Sequence, residues 1–288
     1  MTQNDNSAYR KNVFFDSDLA LERRKADLDI PGILFEKSEC EIGVWERITI
    51  SSLEGERAIG RPRGNYDTLT VEKIDLLSDD EIENVANEIS EELQQMVDIL
   101  GVVPKKILVV GLGNPELTPD SIGPKSANLV NATMHLKSLG EKAFLEFECS
   151  EIAVFSPGVT SKSGIESTDA IICISERLNP DAIIAIDSLA SRSAERLGST
   201  IQISNTGVFP GSGIGNTRTP INESTLGVPV IAIGVPTVIN ARFLFSKSND
   251  KIPLGLEEMF LSPKEIDIIT NSFAKIISHG INQAFGIF

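Results

Sequence analysis

Short apolar runs alternate with helix-like patterns through the middle and second half of the chain. Several of the runs are near-continuous stretches of Val and Ile, which are typical of strands covered on both faces. They lie at residues 107–110, 152–155, 182–186, 200–203 and 228–233. Helical patterns occupy residues 125–139, 167–178 and 188–197. This order predicts an α/β protein, a three-layer sandwich with a mostly parallel central sheet.

Two longer amphipathic helices are predicted outside this alternation. From Ser78 to Gly101, apolar side chains recur every three or four residues, and Ser78 with Glu81 matches a capping box. Near the carboxyl terminus, Ser262 and Glu265 match a second capping box, so a terminal helix is expected to begin there.

The amino-terminal part differs in pattern from the rest of the chain. Its first thirty or so residues are polar, and residues 33–50 then alternate loosely, which indicates one or two strands. We therefore expect a small β-containing lobe at about residues 33–70, attached to a single α/β domain.

Charge and hydropathy exclude several classes of protein. The chain has 26 Lys and Arg against 41 Asp and Glu, a net charge of −15, which argues against direct nucleic-acid binding because phosphate affinity needs clustered cations. The apolar stretch 228–241 is too short to span a bilayer, and the amino terminus lacks the apolar core of a signal peptide. We expect a cytoplasmic protein without membrane contact.

Cysteine and histidine content argues against a metal or disulfide framework. The three cysteines (Cys40, Cys149 and Cys173) have no CxxC spacing, and His135 and His279 are the two histidines. No metal and no cofactor are expected. His135 falls within a helical pattern, where a lone histidine is more often structural than catalytic.

Two acids follow or end predicted strands, where sites form in open α/β sheets. Asp120 comes shortly after the run 107–110, and Asp187 lies at the end of the run 182–186. Two carboxylates in a partly dry cleft share a proton, so one can activate water while the other donates a proton. The alternative is that each simply caps a turn or helix.

Two glycine-rich segments are candidate binding loops. GLGN, residues 111–114, begins like a dinucleotide fingerprint, but Glu116 stands where the third glycine belongs, so a tight turn is the preferred interpretation. The segment 205–218 could bring backbone N–H groups to a substrate, with candidate residues Gly211, Gly213, Gly215 and Arg218. It could equally be a surface connection.

Six long motifs, in order along almost the whole chain, resemble those of the germination proteases of spore-forming bacteria. They are GLGNPELTPDSIGP, SPGVTSKSGIEST, PDAIIAIDSLASRSAERLGSTIQIS, NTGVFPGSGIGNTR, LGVPVIAIGVPTVINA and SPKEIDIITNSFAKIISHGIN.

The resemblance implies an endopeptidase of the forespore and spore core that degrades small acid-soluble spore proteins when a spore germinates. That family is regarded as one of atypical aspartic peptidases, and its two proposed catalytic aspartates match Asp120 in TPDSIGP and Asp187 in AIDSLA. The resemblance also implies a fold similar to hydrogenase maturation endopeptidases and a homo-oligomer, namely a homotetramer.

The family enzyme is made as an inactive zymogen that removes its own amino-terminal segment. FFDSDLALER resembles the processing region, with the cut between Asp18 and Leu19. Residues 1–18 are then the propeptide and residues 19–288 the peptidase domain. A polar and mobile segment near a terminus would also suit cleavage.

The chain departs from the family pattern at Asn205 and Asn240, where aspartates are expected. These changes keep open a catalytically impaired paralogue that binds spore proteins or a partner. A metal-dependent processing peptidase is a further alternative, which the shortage of histidines disfavours.

Overall fold

A computed structural model describes residues 17–24, 30–140, 144, 149–211, 218–245 and 255–286. Strands in this part of the chain are β1 (Ile33–Cys40), β2 (Gly43–Ile50), β3 (Gly64–Thr70), β4 (Lys106–Gly111), β5 (Glu151–Phe155), β6 (Ala182–Ser191), β7 (Thr200–Ser204), β8 (Val230–Asn240) and β9 (Phe260–Leu261). Helices are α1 (Ala20–Arg23), α2 (Leu53–Ile59), α3 (Asp79–Leu100), α4 (Ile122–Leu129), α5 (Thr160–Ser163), α6 (Ser167–Leu178), α7 (Glu223–Leu226), α8 (Arg242–Phe245) and α9 (Ile266–Phe285).

The strands of the described residues form one sheet in the order β1-β2-β3-β7-β8-β6-β4-β5, with β9 paired to β8. Strands β8, β6, β4 and β5 run parallel, and the remaining pairs are antiparallel. The α/β class with a central sheet is therefore confirmed. The strands expected as a small lobe extend the same sheet, because β3 pairs with β7.

Helices cover both faces of the central strands, which explains their apolar composition. Alternate residues of a strand point to opposite faces. On β4, Ile107 and Val109 pack in one cluster with α3 and α9, whereas Leu108 and Val110 pack in a second cluster with Ile171 of α6. This arrangement gives the predicted three layers.

Helix α3 is the element whose ends the sequence predicted best. The Ser78 side chain accepts a hydrogen bond from the Glu81 N–H, the Glu81 side chain accepts one from the Ser78 N–H, and Gly101 ends the helix at φ 66°. Helix α9 packs along α3, with Gly280 against Ile89. No helix of the described residues is both long and apolar enough to cross a bilayer.

Three predicted helices differ from the structure. The helix predicted over 188–197 is wrong, because β6 stays paired with β8 as far as Ser191 and only the turn Ala194–Arg196 is helical. The pattern at 125–139 divides into α4 and the 3-10 helix Met134–Leu139. The terminal helix begins at Ile266, without a side-chain cap, rather than just after Ser262.

Candidate active site

A cavity of about 330 Å³ lies at the carboxyl-terminal ends of the parallel strands. Its lining includes the segments that follow β4 and β5 and the later residues of β6 and β8. Residues from β3, β7 and the amino-terminal segment also line it. The predicted location for a site, the strand ends of an open α/β sheet, thus coincides with a cavity.

Asp187 lines this cavity from within β6 rather than from its end. Its side chain is buried, and its Oδ1 accepts a hydrogen bond of 2.9 Å from the Ser188 N–H. Burial raises the pKa of Asp187 well above its usual range, and the nearby charge of Asp120 raises it further. The side chain therefore favours the protonated form. Asp187 does not cap a helix, since β6 continues past it.

Asp120 reaches the same cavity from the 3-10 turn Thr118–Asp120 that follows β4. Burial raises its pKa, whereas two neighbours oppose that shift: the Asn114 N–H, which donates to Oδ2 at 2.9 Å, and the charge of Arg218. The structure thus places Asp120 and Asp187 in one cavity, where each accepts a hydrogen bond from a backbone N–H and Asp187 is the more deeply buried of the two.

The glycines of GLGN serve close packing around these acids. Gly113 has φ 115°, and a Cβ there would lie 2.1 Å from the backbone oxygen of Asp120. Gly111 faces Gly123 so closely that a Cβ would lie 2.3 Å from the Gly123 oxygen. The GLGN segment therefore forms a tight turn rather than a dinucleotide-binding loop. The close contact of Gly113 with the backbone of Asp120 holds Asp120 in position.

The proposed processing site lies in the cavity as well. Asp18 lines it, close enough to Asp187 for its charge to raise the pKa of that side chain. Ser17, Leu19 and Ala20 are each 0% exposed. The expectation that this segment is mobile is therefore wrong at these residues, which are packed against the strands that carry the site.

The candidate substrate loop is only partly described. Gly211 and Arg218 line the cavity, as expected of a loop that contacts a substrate. Gly213 and Gly215 lie outside the described residues.

Sequence reasoning missed three buried polar residues that line the cavity together with the two acids. Arg61 and Gln202 are each 8% exposed, and Tyr66 is 3% exposed. Burial raises the pKa of Tyr66 to about 12, so its hydroxyl, which donates to the Pro62 oxygen at 2.8 Å, stays protonated. No motif marks these residues; Gln202 and Tyr66 could have been found only as polar residues at inward positions of strands.

The two departures from the family pattern make local hydrogen bonds. The Asn205 Oδ1 accepts from the Asn65 N–H at 2.8 Å, and the Asn240 Oδ1 accepts from the Arg242 N–H at 3.0 Å. Neither asparagine lines the cavity, and His135 is exposed away from it. In the described part of the chain, no three His, Cys, Asp or Glu side chains are grouped as metal ligands.

Comparisons with known proteins agree with these motifs. A sequence model described as germination protease matches residues 11–252. A germination protease of Caldanaerobacter subterraneus subsp. tengcongensis is 38% identical over 93% of this chain and 93% of its own length. One of Clostridium perfringens (strain ATCC 13124) is 34% identical over 93% and 94%, and one of Bacillus cereus (strain G9842) is 40% identical over 80% and 63%.

Among solved structures, the chain is similar to the [NiFe] hydrogenase maturation protease HycI from Thermococcus kodakarensis KOD1. The TM-score is 0.38 at 15% identity, covering 66% of this chain and 99% of that chain. A likeness this weak supports no argument about function.

Proposed function

Because the chain belongs to the germination protease family, a family of proteases of spore germination, we propose that it is an endopeptidase that begins the degradation of small acid-soluble spore proteins, with Asp120 and Asp187 as the catalytic pair. The observation that carries the proposal is the placement of both carboxyl groups, each with a raised pKa, in one cavity at the strand ends.

The unequal environments of the two acids suggest their roles. Asp187, which is the more deeply buried, holds the shared proton, and Asp120, which is only partly buried, is the carboxylate. Asp120 takes a proton from water as the water oxygen bonds to the peptide carbon, and Asp187 protonates the carbonyl oxygen. Asp120 then gives its proton to the peptide nitrogen as the C–N bond breaks, and Asp187 takes back the proton of the hydroxyl as the carboxyl product forms.

We further propose that the chain is a zymogen that cuts itself between Asp18 and Leu19, separating propeptide residues 1–18 from the peptidase domain 19–288. Support comes from the position of Asp18 in the cavity beside Asp187. Amino-terminal sequencing of protein held at mildly acidic pH should give Leu19 as the new first residue. Met1 or Thr2 still in place after prolonged incubation would count against self-processing.

Family membership also leads us to propose a homotetramer that works in the forespore and spore core, without direct contact with nucleic acid or membrane. Light scattering coupled to size-exclusion chromatography tests the assembly, and a monomer at micromolar concentration would contradict it.

The central test is incubation of the purified protein with a small acid-soluble spore protein, with and without a chelator, followed by mass spectrometry of the fragments. Cleavage that survives the chelator and is abolished in the Asp120→Asn protein is the expected result. Loss of cleavage with the chelator would favour the metal-dependent alternative, and binding without cleavage would favour the impaired paralogue. An Asp120→Asn protein with normal turnover would overturn the mechanism.

A further inference from the structure

The bond between Asp18 and Leu19 lies between two backbone hydrogen bonds to the sheet. Before this bond, the Asp18 N–H donates to the main-chain oxygen of Ala190 on β6 at 2.9 Å. After it, the Ala20 N–H donates to the side-chain Oε1 of Gln202 on β7 at 2.9 Å. A main-chain group therefore holds the backbone before the proposed cut, and a side chain holds it after the cut.

Gln202 lies in the same row of the sheet as Asp187. Gly234 of β8 pairs with Asp187 on one side and with Gln202 on the other. Paired residues of neighbouring strands point to the same face, and the Cα atoms of Asp187 and Gln202, two strand spacings apart, are separated by roughly 10 Å. Both residues line the cavity. The sheet itself thus sets the distance between the proposed acid and the amide that holds the backbone.

The surface between these two side chains is apolar. Gly234 has no side chain, and Leu189 lies over it so closely that a Cβ on Gly234 would be 2.4 Å from the Leu189 Cδ1. Ile201 and Ile203, the neighbours of Gln202 on β7, pack in the core on the opposite face. A peptide N–H that is buried here needs an acceptor, because an unpaired buried donor is costly, and Gln202 Oε1 supplies one.

The hydrogen bond to Gln202 involves only the backbone of the second residue after the proposed cut. Every residue except proline carries that N–H. Gln202 is 8% exposed, so its amide is positioned by the surrounding protein and not by water. The contact can therefore form with peptides of different sequence.

We propose that Gln202 is a substrate-binding residue that accepts the backbone N–H of the second residue after the cut. This contact holds the peptide in a fixed position relative to Asp187. The inference rests on the proposed peptidase function, and it takes the contact of Ala20 with Gln202 as the contact that a substrate makes.

The test compares two synthetic peptides: a copy of residues 14–26, and the same sequence with an ester in place of the amide between residues 19 and 20. The ester removes the N–H of residue 20. The full-length wild-type protein should cut the copy between residues 18 and 19 about 10-fold faster, in kcat/KM, than the ester peptide. The difference should lie mainly in KM, since the hydrogen bond is present before the reaction.

Gln202→Met removes the acceptor and should cut the two peptides at equal rates. Both peptides compete with the same segment of the chain itself, so the ratio of their rates on one protein does not depend on that segment. Gln283→Met is the matched control, because the Gln283 side chain bonds to Glu83 outside the cavity. This control should keep the preference of about 10-fold.

Equal cleavage of the two peptides by the wild-type protein would overturn the proposal while leaving the peptidase function intact, and this comparison needs no variant. Retention of the preference by Gln202→Met, in a protein with a normal melting temperature, would overturn it as well.

If the wild-type protein cuts neither peptide, the proposed peptidase function fails, and the contact is tested by binding. The Kd of each fluorescently labelled peptide is then measured by anisotropy with the full-length wild-type and Gln202→Met proteins. Binding of the ester peptide that is about 10-fold weaker, on the wild-type protein alone, supports the contact. Equal Kd values, or binding of neither peptide, contradict it.

Discussion

In the part of the chain that the structure describes, two pairs of acids are compared, and one of these pairs lines the cavity at the strand ends. Asp120 and Asp187 line the cavity at the strand ends. Asp67 of β3 and Glu92 of α3, by contrast, are 3% and 2% exposed and lie where the sheet packs on the helix. Burial, together with a hydrogen bond and charge from Glu92, raises the pKa of Asp67 to about 8.

Asp67 and Glu92, termed the inner pair, lie beside Arg47, and neither of them lines the cavity. Arg47 Nη2 lies 2.8 Å from Glu92 Oε2, and its Nε lies 4.0 Å from Asp67 Oδ2. Asp120 and Asp187, by contrast, share their cavity with Asp18. A raised carboxyl pKa therefore marks burial, and only its combination with an open cavity marks chemistry.

The same Asp→Asn substitution in each pair tests most directly whether the two pairs differ in function. Asp187→Asn should lower kcat/KM on a small acid-soluble spore protein by about 1,000-fold or more, because it removes the acid that we propose protonates the substrate. Asp67→Asn should leave kcat/KM within about twofold. Steady-state cleavage assays, with circular dichroism as a check on folding, measure both. Similar losses in the two proteins would mean that the inner pair takes part in catalysis.

Removal of the cation tests the structural role of the inner pair. Arg47→Met should lower the free energy of unfolding by about 2–3 kcal/mol, since it leaves buried acids without their counter-charge. Urea denaturation measures this loss. The control Arg63→Met breaks an exposed pair and should cost less than about 1 kcal/mol. Equal values for the two variants would show that the inner pair contributes little.

The pH dependence of stability separates the pairs further. Because the folded pKa of Asp67 is raised, the native state binds more protons than the unfolded state between about pH 4 and pH 8. The contribution of protonated Asp67 to the free energy of unfolding is complete below the pKa of Asp67 in the unfolded chain. It is lost as the pH rises through about 8. Unfolding free energy should fall by about 2–3 kcal/mol from pH 6 to pH 9, and Asp67→Asn should flatten this slope. An unchanged slope in the variant would contradict the assignment.

The smallest effect is expected at the two departures from the family pattern. Asn205→Asp and Asn240→Asp keep the oxygen that accepts from a backbone N–H, at sites outside the cavity. Cleavage should change by less than about twofold and stability by less than about 0.5 kcal/mol. A large gain of activity in either variant would instead favour the impaired paralogue, with an acid outside the catalytic pair needed for full function.

Local signals predicted much of the fold. Runs of Val and Ile gave the central strands, and the Ser78 and Glu81 pair marked the start of α3, because both signals depend on neighbours in sequence. The false helix over 188–197 arose because the continuation of β6 depends on pairing with Val238 and Ile239 of β8. Long-range pairing leaves no trace in local periodicity.

Only some of the buried polar residues discussed above could be predicted from the sequence. Asp120 and Asp187 follow or end apolar runs, so strand-end reasoning found them, and the motifs supported the choice. Arg61 was not found, because a buried arginine looks in sequence like any surface cation. Glu92 was missed for a similar reason, because the position of a glutamate along α3 does not indicate that the sheet covers that face of the helix.

The pairing of β3 with β7 also bears on how the protein is made. It brings together Asn65 and Asn205, which are 140 positions apart in the sequence. The residues that line the cavity are similarly distant in sequence, since they include both Asp18 and Val238 of β8. During synthesis, the amino-terminal strands must wait for their sheet partner until most of the chain has left the ribosome. The cavity is therefore among the last parts of the protein to form, and an incomplete chain lacks the proposed catalytic site.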